Sequence, residues 1–332
     1  MGAPTMRALV VEALAPDYGG CALREIETPA PGPGEVRIAI RAAAVNFPDL
    51  LQTRGEYQHK PALPFIPGLE IAGEIDAIGS GVEGWKVGDP VVGPARIGGF
   101  SDYAITPAVA LQAKPASLSF SQAAGYGAAY LTAYVALVRR ARVEPGEWVL
   151  VHGAAGGVGL ACVDLAKVLG ARVIAASASD AKLAVIQQEY APDAVVNVTG
   201  GFRERVKEIT GGRGADVIYD PVGGDVFDES TRCIAFDGRL LVIGFTSGRI
   251  PTLSVNMPLI KGFSVMGVRA GEYSRQLPEK GRENKAAIWA LAAEGKVKPR
   301  VDQEYPLDEW RAAFESLANR KVVGKTIVRP DL

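Results

Sequence analysis

Residues 147–169, EWVLVHGAAGGVGLACVDLAKVL, decide the fold class of this chain. The apolar run EWVLV is typical of a buried strand, and LACVDLAKVL has the length and composition of a helix. Between them lies the pattern Ala154-x-Gly156-x-x-Gly159, a variant of the glycine-rich turn that binds dinucleotides. The stretch therefore predicts a strand, a tight turn and a helix whose first N–H groups bind a diphosphate.

The small residues of this turn have separate tasks. Gly156 lets the backbone approach a diphosphate, and Gly159 lets the helix pack close to the strand. A turn with a purely structural role is the alternative, but the motif opens an α/β series, which is the context that supports nucleotide binding. We therefore predict that the cofactor-binding residues of the turn are Ala155, Gly156, Gly157, Val158 and Gly159.

Downstream of the turn, apolar strands alternate with helices. The pairs are ARVIAAS with DAKLAVIQQEY, DAVVNV with FRERVKEIT, and ADVIYDPVG with VFDESTRCIA, before the strands GRLLVIGF and FSVMGV. Such alternation predicts a parallel sheet covered by helices on both faces. We place this doubly wound Rossmann dinucleotide-binding domain at residues 126–268.

The rest of the chain is organised differently. Short strand-like runs and turn signals fill the first 120 residues and predict a β-barrel-type antiparallel domain at 1–125. Residues 269–332 read as helices followed by a strand, GKTIVR, and are too short for their own core. We expect them to return to the first domain.

Composition excludes several classes of function. The net charge of -1 gives no surface for a polyanion, so no nucleic-acid partner is expected. The three cysteines lie far apart and form no metal or disulfide pattern. No apolar run reaches the length of about 20 residues needed to span a bilayer, and the N-terminus lacks a signal-peptide core. We therefore expect a cytoplasmic protein without a membrane partner.

The end of the second parallel strand predicts the choice of cofactor. NAD enzymes usually place a carboxylate there to bind the ribose 2′-OH. This chain has Ala178 and Ser179, followed by Lys182, which suits a 2′-phosphate and predicts NADPH. The alternative for Lys182 is a solvated helix residue, and Asp180 is expected at the helix N-cap.

Six motifs, quoted in chain order, carry a family resemblance: VNFPDLLQTRGEY, PFIPGLEIAGEI, VHGAAGGVG, YDPVGG, VIGFTSG and VVGKTIV. The chain resembles the medium-chain dehydrogenase/reductase superfamily, specifically its zinc-free quinone oxidoreductase (zeta-crystallin-like) branch. The resemblance implies an α/β protein with a GroES-like β-barrel-type catalytic domain and a doubly wound Rossmann domain. It also implies a homodimer in which FSVMGV pairs with its two-fold mate.

Two departures from the zinc-dependent members predict that no metal is bound. Asn46 stands where those enzymes have a cysteine ligand, and Leu69 stands where they have a histidine. A leucine cannot bind zinc, and a neutral amide is a poor ligand for it. The four-cysteine loop of their structural zinc is also missing from this sequence.

The resemblance further implies site residues. Asn46, Asp49 and Tyr57 match positions beside the nicotinamide and are the predicted catalytic residues, with Asn46 also expected to bind the cofactor. The alternative for Tyr57 is a structural role, as a loop tyrosine that covers apolar surface. The remaining matches to cofactor-binding positions are Thr132, Ile243, Gly244, Phe245 and Arg320, the last being otherwise an exposed arginine at a helix end.

The predicted reaction is transfer of a hydride from NADPH to a quinone. Alcohol oxidation needs strong stabilisation of an alkoxide, which zinc usually supplies. Quinones need less help, because conjugation already makes them good acceptors. Two alternatives stay open: an NADPH-dependent reductase of conjugated C=C bonds, in an enone, alkenal or enoyl thioester, and a binding or structural protein.

Overall fold

The computed structural model describes residues 3–95 and 98–332, which form two compact units. Unit 1 comprises Met1–Gly127 and Pro299–Leu332, and unit 2 comprises Ala128–Lys298. No helix within the described ranges is long and apolar enough to cross a membrane.

The elements follow the alternation that the sequence predicts. In the described residues the strands are, in chain order, β1 (Thr5–Val11), β2 (Cys21–Glu27), β3 (Glu35–Val45), β4 (Glu70–Ile78), β5 (Pro90–Pro94), β6 (Tyr103–Pro107), β7 (Gln112–Ala113), β8 (Trp148–Val151), β9 (Arg172–Ser177), β10 (Ala194–Asn197), β11 (Ala215–Asp220), β12 (Ile234–Val242), β13 (Ser264–Gly267), β14 (Val301–Pro306) and β15 (Lys325–Arg329). The helices are α1 (Phe47–Thr53), α2 (Phe120–Tyr134), which Val135–Ala141 extends as a π-helix, α3 (Gly157–Val168), α4 (Asp180–Tyr190), α5 (Arg203–Ile209), α6 (Gly224–Ser230), α7 (Asn256–Lys261), α8 (Ala270–Gln276), α9 (Pro278–Ala293) and α10 (Trp310–Ala318), and 3-10 turns cover Ala108–Ala110 and Leu307–Glu309.

Unit 2 contains the predicted parallel sheet. Its strand order is β10-β9-β8-β11-β12-β13, and all neighbours are parallel. The order reverses between β8 and β11, and because crossovers are right-handed, the helices before and after that reversal cover opposite faces. Leu150, Ile174, Ile218 and Leu240, from four adjacent strands, are fully buried in this core. The prediction of a doubly wound sheet is confirmed.

Unit 1 is built from mostly antiparallel strands. One sheet has the order β14-β15-β3-β4-β5-β7, with β6 also paired to β3, and β1 forms a separate pair with β2. Single bridges from Ala8 to Ser101 and from Val11 to Phe65 tie that pair to the rest of the unit. The strand GKTIVR, predicted to return to this unit, is β15 and pairs with β3 and β14.

The second domain boundary differs from the predicted one. The chain returns to unit 1 at Pro299, about thirty residues after the expected position 269. The reason is that α8 and α9 pack with unit 2. Arg139, in the π-helical extension of α2, donates to Asn284 (2.7 Å) and to Glu283 (2.6 Å) in α9. The first boundary, inside α2, lies two residues from the predicted one.

Candidate active site

The register of the unit 1 sheet brings three chain segments to one place. β3 runs antiparallel to both β4 and β15, with Ala44 opposite Glu70 and Val45 opposite Thr326. The end of β3 therefore lies beside the first residues of the two neighbouring strands. Asn46 follows β3, Glu70 begins β4, and Lys325 begins β15.

These three side chains form a hydrogen-bonded network, which with Asp49 we call the Asn46 cluster. Lys325 Nζ donates to Asn46 Oδ1 at 2.6 Å, and Asn46 Nδ2 donates to Glu70 Oε2 at 3.0 Å. Lys325 Nζ also lies 3.7 Å from Glu70 Oε2. The Lys325 and Glu70 side chains are only 12% and 14% exposed, so solvent screens these charges weakly.

Asp49 anchors the chain where β3 becomes α1. Its Oδ2 accepts from the Asn46 backbone N–H at 2.7 Å, which secures the start of the helix. The side chain is fully buried, and Oδ1 has no hydrogen-bond partner among the described residues. Burial raises the pKa of Asp49 to about 7, although the Asn46 N–H and the Lys325 charge oppose that rise. Asp49 is thus a buried carboxyl poised near neutral pH.

The cluster does not fit a catalytic zinc ion. The Asn46 amide is bound at its oxygen by an ammonium, and Leu69, which precedes Glu70 in the chain, carries no donor atom. A cation at the Asn46 oxygen would have to displace the positive charge of Lys325. Within 3–95 and 98–332, no three or more His, Cys, Asp and Glu side chains are grouped to hold a metal.

Tyr57 and Arg320 are the other two predicted residues of unit 1. Tyr57 is half-buried after α1 and makes no hydrogen bond with another described residue. Arg320 follows α10, is exposed and has a left-handed backbone, with φ of 53°. The structure therefore joins Asn46 to Asp49, and within the described residues Tyr57 donates no hydrogen bond to either of them.

In unit 2 the glycine turn connects β8 to α3 as predicted. Gly156 is the N-cap of α3, and Gly157, Val158 and Gly159 form its first turn, whose N–H groups have no carbonyl partner within the helix. Gly156 is exposed, and Ala155 is buried. The free N–H groups and the positive end of the helix dipole together fit a diphosphate.

A glycine is needed for different reasons at the two motif positions, 156 and 159. A Cβ on Gly159 would lie 2.2 Å from Gly153 O, so the close packing of α3 on the turn requires a glycine there. Gly156 has an ordinary φ of -77°, and within the described part of the chain a Cβ there would meet only Gly153 O, at 3.4 Å. The fold itself gives little reason for Gly156, whereas a ligand lying against the backbone would.

Further predicted residues share the same edge of the unit 2 sheet. β8, β11 and β12 are parallel neighbours, so their carboxyl ends lie side by side. Asp220 is the last residue of β11, and its Oδ1 accepts from the N–H groups of Val222 (2.8 Å) and Gly223 (2.9 Å). Ile243–Phe245 follow β12, and Ile243 N–H donates to Asp220 O at 2.9 Å. The glycine turn and Ile243–Phe245 therefore flank the switch point of the sheet.

The end of β9 corrects one detail of the sequence analysis. Ser179, not Asp180, is the N-cap of α4, because Ser179 Oγ accepts from the Lys182 N–H at 3.4 Å. Asp180 is the first helical residue, and its carboxylate accepts from Asn197 Nδ2 at 2.7 Å. Ala178 is exposed in the turn, and the strand ends in Ser177 without a carboxylate.

Two polar residues of unit 2 satisfy their hydrogen bonds inside the fold. Thr132 lies in α2, and its hydroxyl donates to Ala128 O at 2.8 Å. His152, directly before the glycine turn, is buried, and its Nε2 lies 2.9 Å from Ser230 Oγ. Burial lowers the pKa of His152 to about 3, so the imidazole is neutral. His152 is therefore a core residue.

Sequence reasoning did not select Glu70 or Lys325 as functional residues. Both were visible within the family motifs, as the last residue of Gly68-Leu69-Glu70 and the lysine of GKTIVR. Only the strand order, with β3 between β4 and β15, shows that these charges meet at Asn46. A charged residue at the start of each neighbouring strand was the available signal.

Two family models match the chain. The model for the alcohol dehydrogenase GroES-like domain matches residues 32–116, and the model for zinc-binding dehydrogenase matches residues 157–283. They confirm the two-domain fold class. The quinone oxidoreductase-like protein 2 homolog of Nematostella vectensis is 40% identical over 300 residues, which cover 90% of this chain and 82% of that protein.

Solved structures share the fold over nearly the whole length. The structure of mycobacterial Rv1454c complexed with NADPH matches with a TM-score of 0.87 and 31% identity, covering 98% of this chain and 100% of that one. The CurK enoyl reductase matches with a TM-score of 0.86 and 29% identity, covering 99% of each chain.

Proposed function

This chain belongs to the quinone oxidoreductase branch of the medium-chain dehydrogenase/reductase superfamily, and we propose that it reduces a quinone with NADPH and without zinc. That it is an oxidoreductase with a nicotinamide cofactor follows from its relatives. One observation carries the finer proposal. The Asn46 amide, at the position of a metal ligand in zinc enzymes, is held between an ammonium and a carboxylate.

Unit 2 supplies the cofactor site in this proposal. The first turn of α3 binds the diphosphate, with Gly156 leaving room for it. The turn after β9 receives the 2′-phosphate, because the strand ends in a serine and Lys182 follows one helical turn later. The bound nicotinamide ring is the source of the hydride. Ile243–Phe245 and Thr132 are proposed as further contacts, and Arg320 in unit 1 as another.

Unit 1 supplies polar groups for the acceptor. Reduction of a quinone to a hydroquinone needs one hydride, one proton and stabilisation of the negative charge that develops on oxygen. The Asn46 side-chain N–H and the Tyr57 hydroxyl are donors of the required kind, and Tyr57 can also release a proton. Asp49 fixes the loop that carries Asn46. Tyr57→Phe should lower turnover more than it weakens NADPH binding.

The alternative is reduction of a conjugated C=C bond in an enone, alkenal or enoyl thioester. The likeness to the CurK enoyl reductase supports it. Both reactions need a hydride and a donor at the acceptor oxygen, so the same residues serve either one.

Steady-state oxidation of NADPH by the purified chain separates the two. One series of simple quinones and one series of alkenals, enones and enoyl-CoA esters are compared by kcat/KM. We expect the quinones to give the higher values. A preference of tenfold or more for the conjugated C=C substrates would assign the alternative, by the arithmetic of transition-state binding.

We also propose that the protein is a cytoplasmic homodimer. Cys21, Cys162 and Cys233 are buried free thiols, which suit a reducing compartment. β13 is an edge strand of the unit 2 sheet, with one side paired to β12. Apolar side chains near it are exposed, among them Leu259 (82%) and Ile260 (74%) in α7. An edge of this kind is usually covered, and a second copy would cover it.

A further inference from the structure

We propose that Lys325 is a positioning residue that fixes the orientation of the Asn46 amide, so that an Asn46 N–H is presented as the donor to the acceptor oxygen. The inference rests on the proposed function, because it assigns the donor of that reaction. It adds Lys325, Glu70 and Gly125 to the residues on which turnover depends.

The charges around Asn46 permit only one orientation of its amide. In the observed orientation the oxygen faces the Lys325 ammonium at 2.6 Å and the nitrogen faces the Glu70 carboxylate at 3.0 Å. A rotation by 180° would set N–H groups against the ammonium and the oxygen against the carboxylate. Because hydrogen bonds to ions are about twice as strong as neutral ones, both ends oppose that rotation.

One amide hydrogen stays available in this arrangement. Asn46 Nδ2 carries two hydrogens, and Glu70 accepts one of them. Among the described residues, the other faces only Ala44 O, at 3.4 Å, the long limit of a hydrogen bond. The ammonium at Oδ1 also polarises the amide, which strengthens its N–H groups as donors.

The surroundings of Lys325 hold its stem in place. A Cβ on Gly125, in α2, would lie 3.1, 3.2 and 3.3 Å from Cγ, Cβ and Cε of Lys325. Glycine inside a helix is unfavourable relative to alanine, so this position needs a packing reason. The reason is the lysine stem, which passes directly over Gly125. The stem therefore leads the ammonium to Asn46 along a fitted path.

A double-mutant cycle tests whether Lys325 acts through Asn46. Asn46→Ala should lower kcat about 100-fold, as the loss of one transition-state donor does. Lys325→Met should lower kcat about tenfold with the KM for NADPH changed less than about threefold, and Lys325→Arg should recover part of the loss. The double variant should be no slower than Asn46→Ala alone, because Lys325 has no further role once the amide is gone.

Gly125→Ala tests the same idea without removing a polar group. The alanine favours the helix but crowds the lysine stem, so kcat should fall about threefold or more while thermal stability is kept or raised. This variant carries the test if Lys325→Met fails to fold. Lys321→Met, an exposed lysine four residues earlier, is the matched control and should behave as wild type.

Three results would overturn the proposal: losses that multiply in the double variant, a KM for NADPH that rises tenfold in Lys325→Met, or Gly125→Ala with wild-type kcat. Either of the first two results would mean that Lys325 acts on the cofactor and not through Asn46. The cycle is run with whichever acceptor the wild type reduces best. If the wild type does not reduce quinones, the proposed function is contradicted. The double-mutant cycle can still be measured, with the acceptor that the wild type does reduce.

Discussion

Lys325 Nζ donates to Asn46 Oδ1 at 2.6 Å, at the point where β15 and β3 lie side by side. A lysine and an asparagine 279 residues apart in the chain thus share one hydrogen bond in a site with little solvent screening. The zinc-dependent members of the superfamily, which this chain resembles, have a cysteine ligand at the position of Asn46. In this chain that position holds an amide whose oxygen accepts a hydrogen bond from an ammonium.

Gly156 and Gly159 should differ in what their replacement damages. The methyl group of Gly156→Ala would meet one atom of the described residues, Gly153 O at 3.4 Å, so this variant should lose about 1 kcal/mol or less in the free energy of unfolding. It should weaken NADPH binding about tenfold or more, because its methyl group occupies space for the diphosphate. Gly159→Ala overlaps Gly153 O and should cost about 1–3 kcal/mol of stability. Fluorescence titration and urea unfolding measure the two effects.

The turn after β9 should select NADPH over NADH. A charge-assisted bond from Lys182 to the 2′-phosphate contributes about 1.5–3 kcal/mol, or roughly ten- to a hundredfold in affinity. Lys182→Ala should lose this factor for NADPH and leave NADH binding unchanged, and added salt should shrink the preference. Lys280→Ala, an exposed lysine of the same unit, is the control. Equal dissociation constants of the wild type for both cofactors would refute this role of Lys182.

Asp49 should give the protein a distinctive dependence of stability on pH. Its pKa is about 7 in the folded chain and about 3.9 in the unfolded chain, so the folded state holds the proton longer as pH rises. The contribution of Asp49 to the free energy of unfolding is therefore largest below pH 4. Between pH 4 and 7 this contribution is lost, and the free energy of unfolding falls by up to about 1.4 kcal/mol per pH unit. Asp49→Asn removes this change.

The measurement must be a difference, because His152 acts in the opposite direction. Its pKa is about 3 when folded and about 6.5 when unfolded, so it lowers stability as pH falls below 6.5. Urea unfolding of the wild type and of Asp49→Asn at pH 4, 5, 6 and 7 isolates Asp49. The stability of the wild type relative to the variant should fall as pH rises. A constant difference would mean that Asp49 is ionised throughout.

The edge strand β13 should form the dimer contact. Light scattering of the wild type should give twice the chain mass of 34.9 kDa. Val265→Glu, in the middle of β13, should shift the protein to the monomer, since a charge there opposes pairing. Val109→Glu replaces a valine that is 96% exposed in unit 1 and should leave the dimer intact. A wild type that is monomeric at micromolar concentration contradicts this proposal.

Much of the fold was predictable because local patterns carry it. The predicted strand ARVIAAS contains β9, and the predicted helix DAKLAVIQQEY matches α4, since the apolar pattern and the flanking turns define both. α1 was not predicted, because FPDLLQT is short and contains a proline. The return to unit 1 at Pro299 depends on where α9 packs. The packing of α9 is set by contacts with residues distant in the sequence, so no short stretch of sequence predicts it.

The site was predictable only in part, for a related reason. The glycine turn is one continuous motif, so its residues and their placement could be inferred together. Glu70 and Lys325 approach Asn46 through the order of strands in a sheet, which no short motif records. The amide of Asn46 was found by resemblance, but the ion pair that orients it needed the tertiary structure.

The most direct test of the account is turnover by the purified chain with NADPH and a simple quinone, measured before and after treatment with a strong zinc chelator. A primary alcohol with NADP⁺ is assayed in parallel. The account predicts quinone-dependent oxidation of NADPH that chelation leaves unchanged, with little or no reaction of the alcohol. Oxidation of the alcohol that the chelator abolishes, without quinone reduction, would contradict it.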